Sequence, residues 1–391
     1  MKEFILEHRH ACKNDATVEH PTIPFFGADR EYDFYHSDYQ RIFDEVMSHG
    51  RVLQGKEVSL FEETMMKLVG RPYAVAVNSC TDALYFALVA NGIGAGDEVL
   101  VTSFSFIASV TCVLRVGAIP VFCDIDTHSY HMSYESIKKM ISPKTKAIVY
   151  PHLFGKVTDI ALLETLCKDA GIVFIEDGAQ SLGASYRSRK AGSFGQCSCV
   201  SFDPTKVVSA PGSGGVLLTD DAGVYDRVKQ LRYHGKSEGK FISLGYNSQM
   251  PSLTAALLDF KLSMMHEWAE KRISIASRYT DALAKYDIVC EVGTDAMHHI
   301  FHKYVIRFAS QSMRDAMQQE LQKQGIAVRI HYAEPLQQHA LFDAYDIKKD
   351  ACTVTNEVCR TVLSLPIHPW LTDKEVARVV HSFCQAYEKI S

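Results

Sequence analysis

The 391-residue sequence has no apolar run long enough to cross a membrane, and the apolar stretch near its start is too short for a signal peptide. It also lacks a basic surplus. The formal net charge is -5, so neither nucleic acid nor a membrane surface is indicated as a partner. The 11 cysteines follow neither a disulfide framework nor a zinc-site spacing. A globular, cytoplasmic protein is therefore expected.

Common cofactor and metal signatures are missing or misplaced. No complete Gly-x-x-x-x-Gly-Lys-Ser/Thr phosphate loop occurs, and the glycine-rich stretch 92–96 precedes a predicted strand instead of following one. We interpret that stretch as a turn between a helix and a strand. The histidine-dense stretch 298–302 has no acidic or cysteine ligand at metal-site spacing, so no metal is expected there. Cys197 and Cys199 would share one face of a strand, which predicts two small buried residues.

The chain does contain a regular alternation of short apolar runs with segments of helical periodicity. Helices are predicted near 38–48, 59–69, 82–91, 106–116 and 160–170. Strands are predicted at 73–77, 98–102, 119–123, 147–151, 173–176, 198–202 and 215–219. Such alternation is typical of a mostly parallel sheet that is covered by helices on both faces.

A long predicted helix, 252–278, connects this part of the chain to a smaller C-terminal part. The C-terminal part contains a predicted strand and two predicted helices, at 304–308, 312–324 and 373–389, which suggests a small α+β domain. We therefore predict an N-terminal extension, a large domain and a small domain, with bounds 1–22, 23–260 and 261–391.

Lys206 is the most informative residue, because it follows a predicted strand and precedes the glycine-rich stretch 211–215. Asp177 ends the preceding strand, and carboxylates at the carboxyl ends of parallel strands face the ligand crevice. These are the two groups that a pyridoxal phosphate enzyme needs. The amine forms a Schiff base with the aldehyde, and the carboxylate keeps the pyridine nitrogen protonated. Gln180 could donate to the phenolic oxygen of the ring. A surface lysine and a helix-capping aspartate are the alternatives.

Two further segments suit the same kind of site. Residues 78–84 join a strand to a helix, where free N–H groups and the helix dipole favour a phosphate. Ser79 and Thr81 could add hydroxyl donors there, although a plain helix cap is the alternative. Phe106 follows the next strand and could lie flat on a pyridine ring, with a place in the core as the alternative.

With these motifs in this order, the chain resembles the DegT/DnrJ/EryC1/StrS family of pyridoxal phosphate-dependent sugar aminotransferases. The resemblance runs from about residue 23 to the C-terminus. The matching segments are 79–84, 151–155, 176–180, 201–206, 214–215, 245–250 and 363–369. The resemblance implies an α/β protein of fold type I, with a large, mostly parallel-sheet domain and a small C-terminal α+β domain. Pyridoxal 5'-phosphate is the implied cofactor, and pyridoxamine phosphate is its form during turnover.

The resemblance also implies a role for each matching residue. Lys206 would hold the cofactor and move the proton, while Asp177 would pair with the pyridine nitrogen and Gln180 with the ring oxygen. Phe106 would stack on the ring. The phosphate would be bound by Ser79, Cys80, Thr81, Ser201 and, from the neighbouring subunit of a homodimer, Asn247. Without that context, Asn247 is interpreted as a turn residue.

Three departures from the family pattern bear on function. Cys80 replaces a glycine in the phosphate loop, and Gln249 replaces a common arginine near the expected dimer contact. Arg329 is not typical of the family. Together with His331 and Tyr332, it is a candidate for contact with a substrate anion.

The resemblance implies transfer of an amino group from L-glutamate to a keto sugar on a nucleoside diphosphate. Residues 247–249 (Asn-Ser-Gln) and 82–84 (Asp-Ala-Leu) resemble members that act at carbon 3, so carbon 3 is expected and carbon 4 is the alternative. A non-catalytic regulator and an amino-acid lyase are the other classes. Intact Lys206 and Asp177 disfavour the first, and Arg329 is the only hint of the second.

Overall fold

The computed structural model describes residues 22–290 and 296–391, and one large sheet organises the first of these segments. Its strands are β1 (Tyr73–Val77), β2 (Glu98–Thr102), β3 (Ile119–Cys123), β4 (Thr145–Pro151), β5 (Val173–Asp177), β6 (Cys197–Ser201) and β7 (Gly215–Thr219). Their spatial order is β1-β7-β6-β5-β4-β2-β3, and the short strand Lys348–Lys349 extends the sheet beside β3. Strand β7 is antiparallel to both neighbours, whereas the other pairs are parallel. The expected mostly parallel sheet is confirmed.

The strands are apolar almost throughout because helices cover both faces of the sheet. Every residue of β2, β6 and β7 is buried. Cys197 and Cys199 are both fully buried and belong to the same core cluster, as their spacing predicts. The helices before and between the strands are α1 (Ala28–His49), α2 (Lys56–Val69), α3 (Cys80–Ala90), α4 (Ala108–Arg115), α5 (Tyr134–Met140), α6 (Ala161–Ala170) and α7 (Ala222–Arg232).

A second, smaller core lies in the C-terminal part of the chain. Its sheet joins Val289–Cys290, β8 (Tyr304–Arg307) and β9 (Val362–Leu365), which are all antiparallel. The helices of this part are α8 (Ser252–Leu283), α9 (Gln311–Lys323), α10 (Thr353–Thr361) and α11 (Asp373–Ile390). No helix in the described part of the chain combines the length and apolarity that crossing a bilayer requires.

Helix α8 contributes to both cores. Leu258 and Trp268 pack with the helices on the large sheet, whereas Ile275 and Tyr279 pack with the C-terminal sheet. The predicted boundary after residue 260 falls inside this helix, and the division into two domains stays a prediction. The predicted N-terminal extension lies almost entirely outside the described residues. Ile23 pairs with Ile326 and packs in the C-terminal core rather than under the large sheet.

Several elements differ from the predicted ones. Helix α1 begins at Ala28, ten residues before the predicted start, because contacts distant in sequence stabilise its first turns. Arg30 forms a bidentate ion pair with Glu375 on α11, with nitrogen–oxygen distances of 2.8 and 2.6 Å. Helices α5, α7 and α10 and strand β9 were not predicted.

The start of β7 passes against the backbone at the start of α3. A Cβ atom at Gly215 would lie 2.4 Å from the carbonyl carbon of Ser79 and 2.5 Å from the nitrogen of Cys80. These neighbours are backbone atoms, so they cannot rotate away as a side chain would. The glycine therefore sets the distance between β7 and the beginning of α3.

Replacing Gly215 by alanine is expected to lower the free energy of unfolding by about 1–3 kcal/mol, because the added methyl overpacks this contact. Urea unfolding followed by circular dichroism measures the change. Gly94→Ala is the matched control, since its Cβ would meet a single atom, 3.8 Å away. Equal stability of Gly215→Ala and the parent protein would show that the two backbones can separate freely.

Candidate active site

A cavity of about 540 Å³ opens at the carboxyl ends of β1, β2, β4, β5 and β6. This is where parallel α/β sheets bind their ligands, because the loops that follow the strands converge there. The predicted site residues that line it are Ser79, Cys80, Thr81, Phe106, Asp177, Gln180, Ser201, Lys206, Arg329, His331 and Tyr332. Of the predicted site residues, Asn247 is not in its lining.

Lys206 lines this cavity rather than the outer surface of the protein. Its backbone N–H donates to the carbonyl oxygen of Asp203 at 2.9 Å, which closes a turn directly after β6. Burial lowers the pKa of the Lys206 amine, while the carboxylates of Asp177 and Asp203 oppose that shift. A larger share of the amine is therefore neutral near pH 7 than for an exposed lysine, as a nucleophile requires.

Asp177 is buried at the end of β5 and is held by two donors. Its Oδ2 accepts from the Ser109 hydroxyl at 2.6 Å, and its Oδ1 accepts from the backbone N–H of Ala179 at 3.1 Å. Burial raises the pKa of this carboxyl, and the two donors and Lys206 counteract the rise. Asp177 caps a turn and faces the cavity, and no helix of the described residues begins directly after it, so the alternative of a helix cap is wrong. Ser109 was not predicted.

The start of α3 offers donors to an anion. The Ser79 side chain caps the helix by accepting from the N–H of Asp82 at 3.1 Å, so the capping interpretation is confirmed. The N–H groups of Cys80 and Thr81 are in the first turn, where no intrahelical acceptor exists. Burial raises the pKa of the Cys80 thiol well above its usual value, so this side chain adds no negative charge. The helix terminus is therefore suited to a phosphate.

Ser201 and Ser213 also line the cavity. Ser201 accepts from the N–H of Asp203 at 3.3 Å and keeps its own hydroxyl proton for another partner. Ser213 was missed, although the glycine-rich stretch 211–215 is a local signal for a backbone that approaches a ligand.

Phe106 and Gln180 lie where a planar ring could meet them. The Phe106 side chain is 58% exposed, so the core interpretation is wrong for this residue. Gln180 accepts from the N–H of Phe154 at 3.1 Å and donates to the Tyr332 hydroxyl at 2.9 Å. One amide hydrogen of Gln180 remains available to a ligand oxygen.

The C-terminal part supplies the remaining wall, with His302, Lys303, Arg329 and His331. The Nδ1 atom of His331 is 2.9 Å from the Ser364 hydroxyl oxygen, and burial lowers the pKa of this imidazole to about 3. His302 and Lys303 were not predicted as site residues. Across residues 22–290 and 296–391, no cluster of three or more potential ligands is arranged for a metal ion.

Asn247 is exposed on the segment that follows Lys240–Phe241. Its backbone pairs with Tyr233, and its Oδ1 accepts from the Gln249 amide at 3.4 Å. Contact between Asn247 and a cofactor phosphate needs a second subunit and stays a prediction.

These residues fit pyridoxal phosphate. Lys206 offers an amine, Asp177 a buried carboxylate, and the start of α3 a set of backbone donors. The fit also explains Gly215, because a side chain there would displace the backbone that presents those donors.

Comparison with known proteins gives a consistent result. A sequence model of the DegT/DnrJ/EryC1/StrS aminotransferase family matches residues 35–384. The chain is 32% identical to a pleiotropic regulatory protein of Geobacillus stearothermophilus, over 93% of this chain and 98% of that one. It is 35% identical to a UDP-N-acetyl-3-dehydro-alpha-D-glucosamine 3-aminotransferase of Acidithiobacillus ferrooxidans, over 86% and 90% of the two chains.

A third relative and a solved structure agree with this match. The UDP-2-acetamido-2-deoxy-3-oxo-D-glucuronate aminotransferase of Pseudomonas aeruginosa is 32% identical, over 83% of this chain and 89% of that one. The crystal structure of S. venezuelae DesV in complex with a ketimine intermediate superimposes with a TM-score of 0.90. Its sequence is 30% identical, and the match covers 95% of this chain and 99% of DesV.

Ser109→Ala is expected to move the acid limb of the pH–activity profile to higher pH. The variant removes a donor to the Asp177 carboxylate, so the pKa of that carboxyl rises and the ionised form is lost earlier as the pH falls. The pH dependence of kcat/KM measures the shift. Thr111→Ala, on the same helix, is the control. A profile that Ser109→Ala leaves in place would mean that Ser109 does not sustain the charge of Asp177.

Proposed function

The chain belongs to the DegT/DnrJ/EryC1/StrS aminotransferase family, and on this premise we propose that it transfers an amino group from L-glutamate to carbon 3 of a nucleotide-linked keto sugar. The observation that carries the proposal is the joint placement of Lys206, Asp177 and Gln180 around one cavity at the strand ends. Two relatives named for 3-keto sugar substrates support carbon 3 over carbon 4. The Asn-Ser-Gln sequence at 247–249 supports the same choice.

Each of the three residues has a defined task in this proposal. Pyridoxal phosphate, when bound, supplies a ring that withdraws electrons from the carbon being aminated or deaminated. Lys206 accepts a proton at its Nζ and returns it, which suits an amine whose pKa burial has lowered. Asp177 stays ionised to balance a protonated pyridine nitrogen, and Gln180 donates its free amide hydrogen to the ring oxygen.

A regulatory role is the second candidate, because one relative is named as a pleiotropic regulatory protein. The retained Lys206 and Asp177 favour catalysis, since a regulator does not need a reactive amine beside a buried carboxylate. The visible absorption spectrum separates the two. A band of lysine-bound pyridoxal phosphate that converts on addition of L-glutamate supports the aminotransferase, and an unresponsive protein supports the regulator.

We also propose a cytoplasmic homodimer whose active sites lie at the subunit interface. Three large apolar side chains next to Asn247 are strongly exposed in the single chain, namely Phe241, Ile242 and Leu244 at 71%, 60% and 80%. Exposed apolar side chains in such a group are typical of a protein–protein contact. The described cysteines are all free thiols, which suits a reducing compartment.

Lys206→Ala is expected to lower the rate of amino transfer by at least about 10³-fold, because the variant has no group to move the proton. Appearance of 2-oxoglutarate in the presence of L-glutamate and a 3-keto sugar nucleotide measures the rate. Lys168→Ala, an exposed lysine on α6, is the control and should keep full activity. An unchanged circular dichroism spectrum establishes that Lys206→Ala is folded, and full turnover by that variant would refute the assignment.

Mixing two inactive variants tests the shared site. Lys206→Ala and Asn247→Ala homodimers should each have low activity, because every site lacks one of the two residues. After unfolding together and refolding, a mixed dimer would carry one site with both residues intact, so activity should rise to a substantial fraction of the parent value. No recovery, with mixed dimers verified by two affinity tags, would place both residues in the same subunit's site.

A further inference from the structure

We propose that Lys303 and Arg329 form a subsite for a carboxylate carried by the substrate. The inference rests on the proposed function, in which both substrates enter the cavity that these residues line. Glutamate carries carboxylates, and so does an acceptor derived from a sugar acid. The carboxylate is the shared chemistry, and the experiments below separate the two sources.

Lys303 is a buried lysine in the lining of the cavity. Its side chain is only 5% exposed, and its Nζ lies 4.5 Å from the ring centroid of Phe26 and 5.3 Å from that of Phe25. No carboxylate among residues 22–290 and 296–391 pairs with it. Cation–π contacts offset only part of the cost of burying an ammonium. An anion that enters the cavity would therefore favour the protonated form of this amine.

Arg329 faces the same two rings. Its Cζ lies 5.5 Å from the centroid of Phe25 and 5.3 Å from that of Phe26, and its guanidinium has no ion pair within the described ranges. The Arg329 side chain is exposed, whereas Lys303 is deeper in the protein. The two basic side chains thus share one pair of aromatic rings. A planar guanidinium and an ammonium together suit the two oxygens of a carboxylate.

Both cations have a fixed backbone. The Arg329 N–H donates to the Ser364 carbonyl at 3.2 Å and its carbonyl accepts from the Ser364 N–H at 2.7 Å, beside β9. The Lys303 N–H donates to the carbonyl of Phe154 at 3.3 Å. A Cβ at Gly155 would lie 2.5 Å from the nitrogen of His302, so this loop is packed tightly against the segment after β4. The backbone that carries the two side chains is therefore fixed by contacts within the chain.

The charges around Lys303 are mostly of its own sign. Burial lowers the pKa of Lys303 well below its usual value, and Lys206, Arg272 and Arg329 lower it further. Asp203 is the carboxylate that opposes this shift, but it accepts from the N–H and the hydroxyl of Thr205 within its own turn. Burial keeps His302 and His331 neutral by lowering their pKa values. An entering carboxylate would supply negative charge and so favour protonation of Lys303.

The first experiment measures binding to the holoenzyme with matched, unreactive probes. UDP-glucuronate and UDP-glucose differ only in a carboxylate at carbon 6, and glutarate represents glutamate without its amine. If the subsite holds the acceptor, the parent protein should bind UDP-glucuronate at least about tenfold more tightly than UDP-glucose. Lys303→Met should abolish that preference and Lys303→Arg should retain most of it. Titration calorimetry gives these affinities, and Lys168→Met is the charge-matched control.

If the subsite holds the donor, the pattern is different. Lys303→Met should then weaken glutarate binding and raise the KM for glutamate by about tenfold or more, with no discrimination between the two UDP-sugars. Two results would overturn the proposal. One is a Lys303→Met variant with unchanged affinity for all three probes. The other is equal loss of both UDP-sugars with unchanged glutarate binding, which would assign the cations to the diphosphate.

The same measurements remain informative if the proposed function fails. A parent protein that binds pyridoxal phosphate but transfers no amino group to 3-keto sugar nucleotides would refute the aminotransferase proposal. The affinities for the three probes are measured without turnover. They therefore test the carboxylate subsite even in a protein that transfers no amino group. Circular dichroism confirms that each variant is folded before its affinity is interpreted.

Discussion

The rest of the site depends on keeping one buried carboxylate ionised. Burial raises the pKa of Asp177, and the structure opposes this shift with a hydroxyl from α4, a backbone N–H and the amine of Lys206. These three groups come from different parts of the chain, and they meet because parallel strands place their carboxyl ends on one edge of the sheet. The parallel order of β5 and its neighbours is therefore what permits a charge to persist inside the protein.

Two close backbone contacts fix the walls of the cavity relative to the strands of the large sheet. At Gly215, β7 contacts the beginning of α3. Because β7 pairs with β6, the strand that precedes Lys206 in the chain, the helix terminus is fixed relative to β6 as well. At Gly155, the segment after β4 touches the loop that carries His302 and Lys303, so the C-terminal part is fixed relative to the large sheet. A side chain at either position would separate backbones, and the site would lose its geometry even though no reactive group had changed.

The sequence predicts those parts of the structure whose cause is local. Strands β1, β2, β3 and β7 have the predicted bounds, because each is a short, mainly apolar run between turn residues. Helix α10 gives no comparable signal, since it follows Cys352, whose side chain makes no capping hydrogen bond. Ser109 could not be linked to Asp177 from sequence, because the two are far apart in the chain and meet only through the sheet. The positions of Lys206, Asp177 and Gln180 were predictable because each ends a strand or lies in the loop that follows one.

Lys303 shows why charge inside a cavity is the hardest feature to predict from sequence. In the sequence it lies in a histidine-dense segment just before β8, with nothing to distinguish it from a surface lysine. Lys303, the two phenylalanine rings and Arg329 belong to three separate segments of the chain, and only the fold buries Lys303 among them. Burial disfavours the protonated form of this lysine, and no carboxylate of the described residues pairs with it. A cost of this kind is expected where binding, rather than folding, supplies the partner.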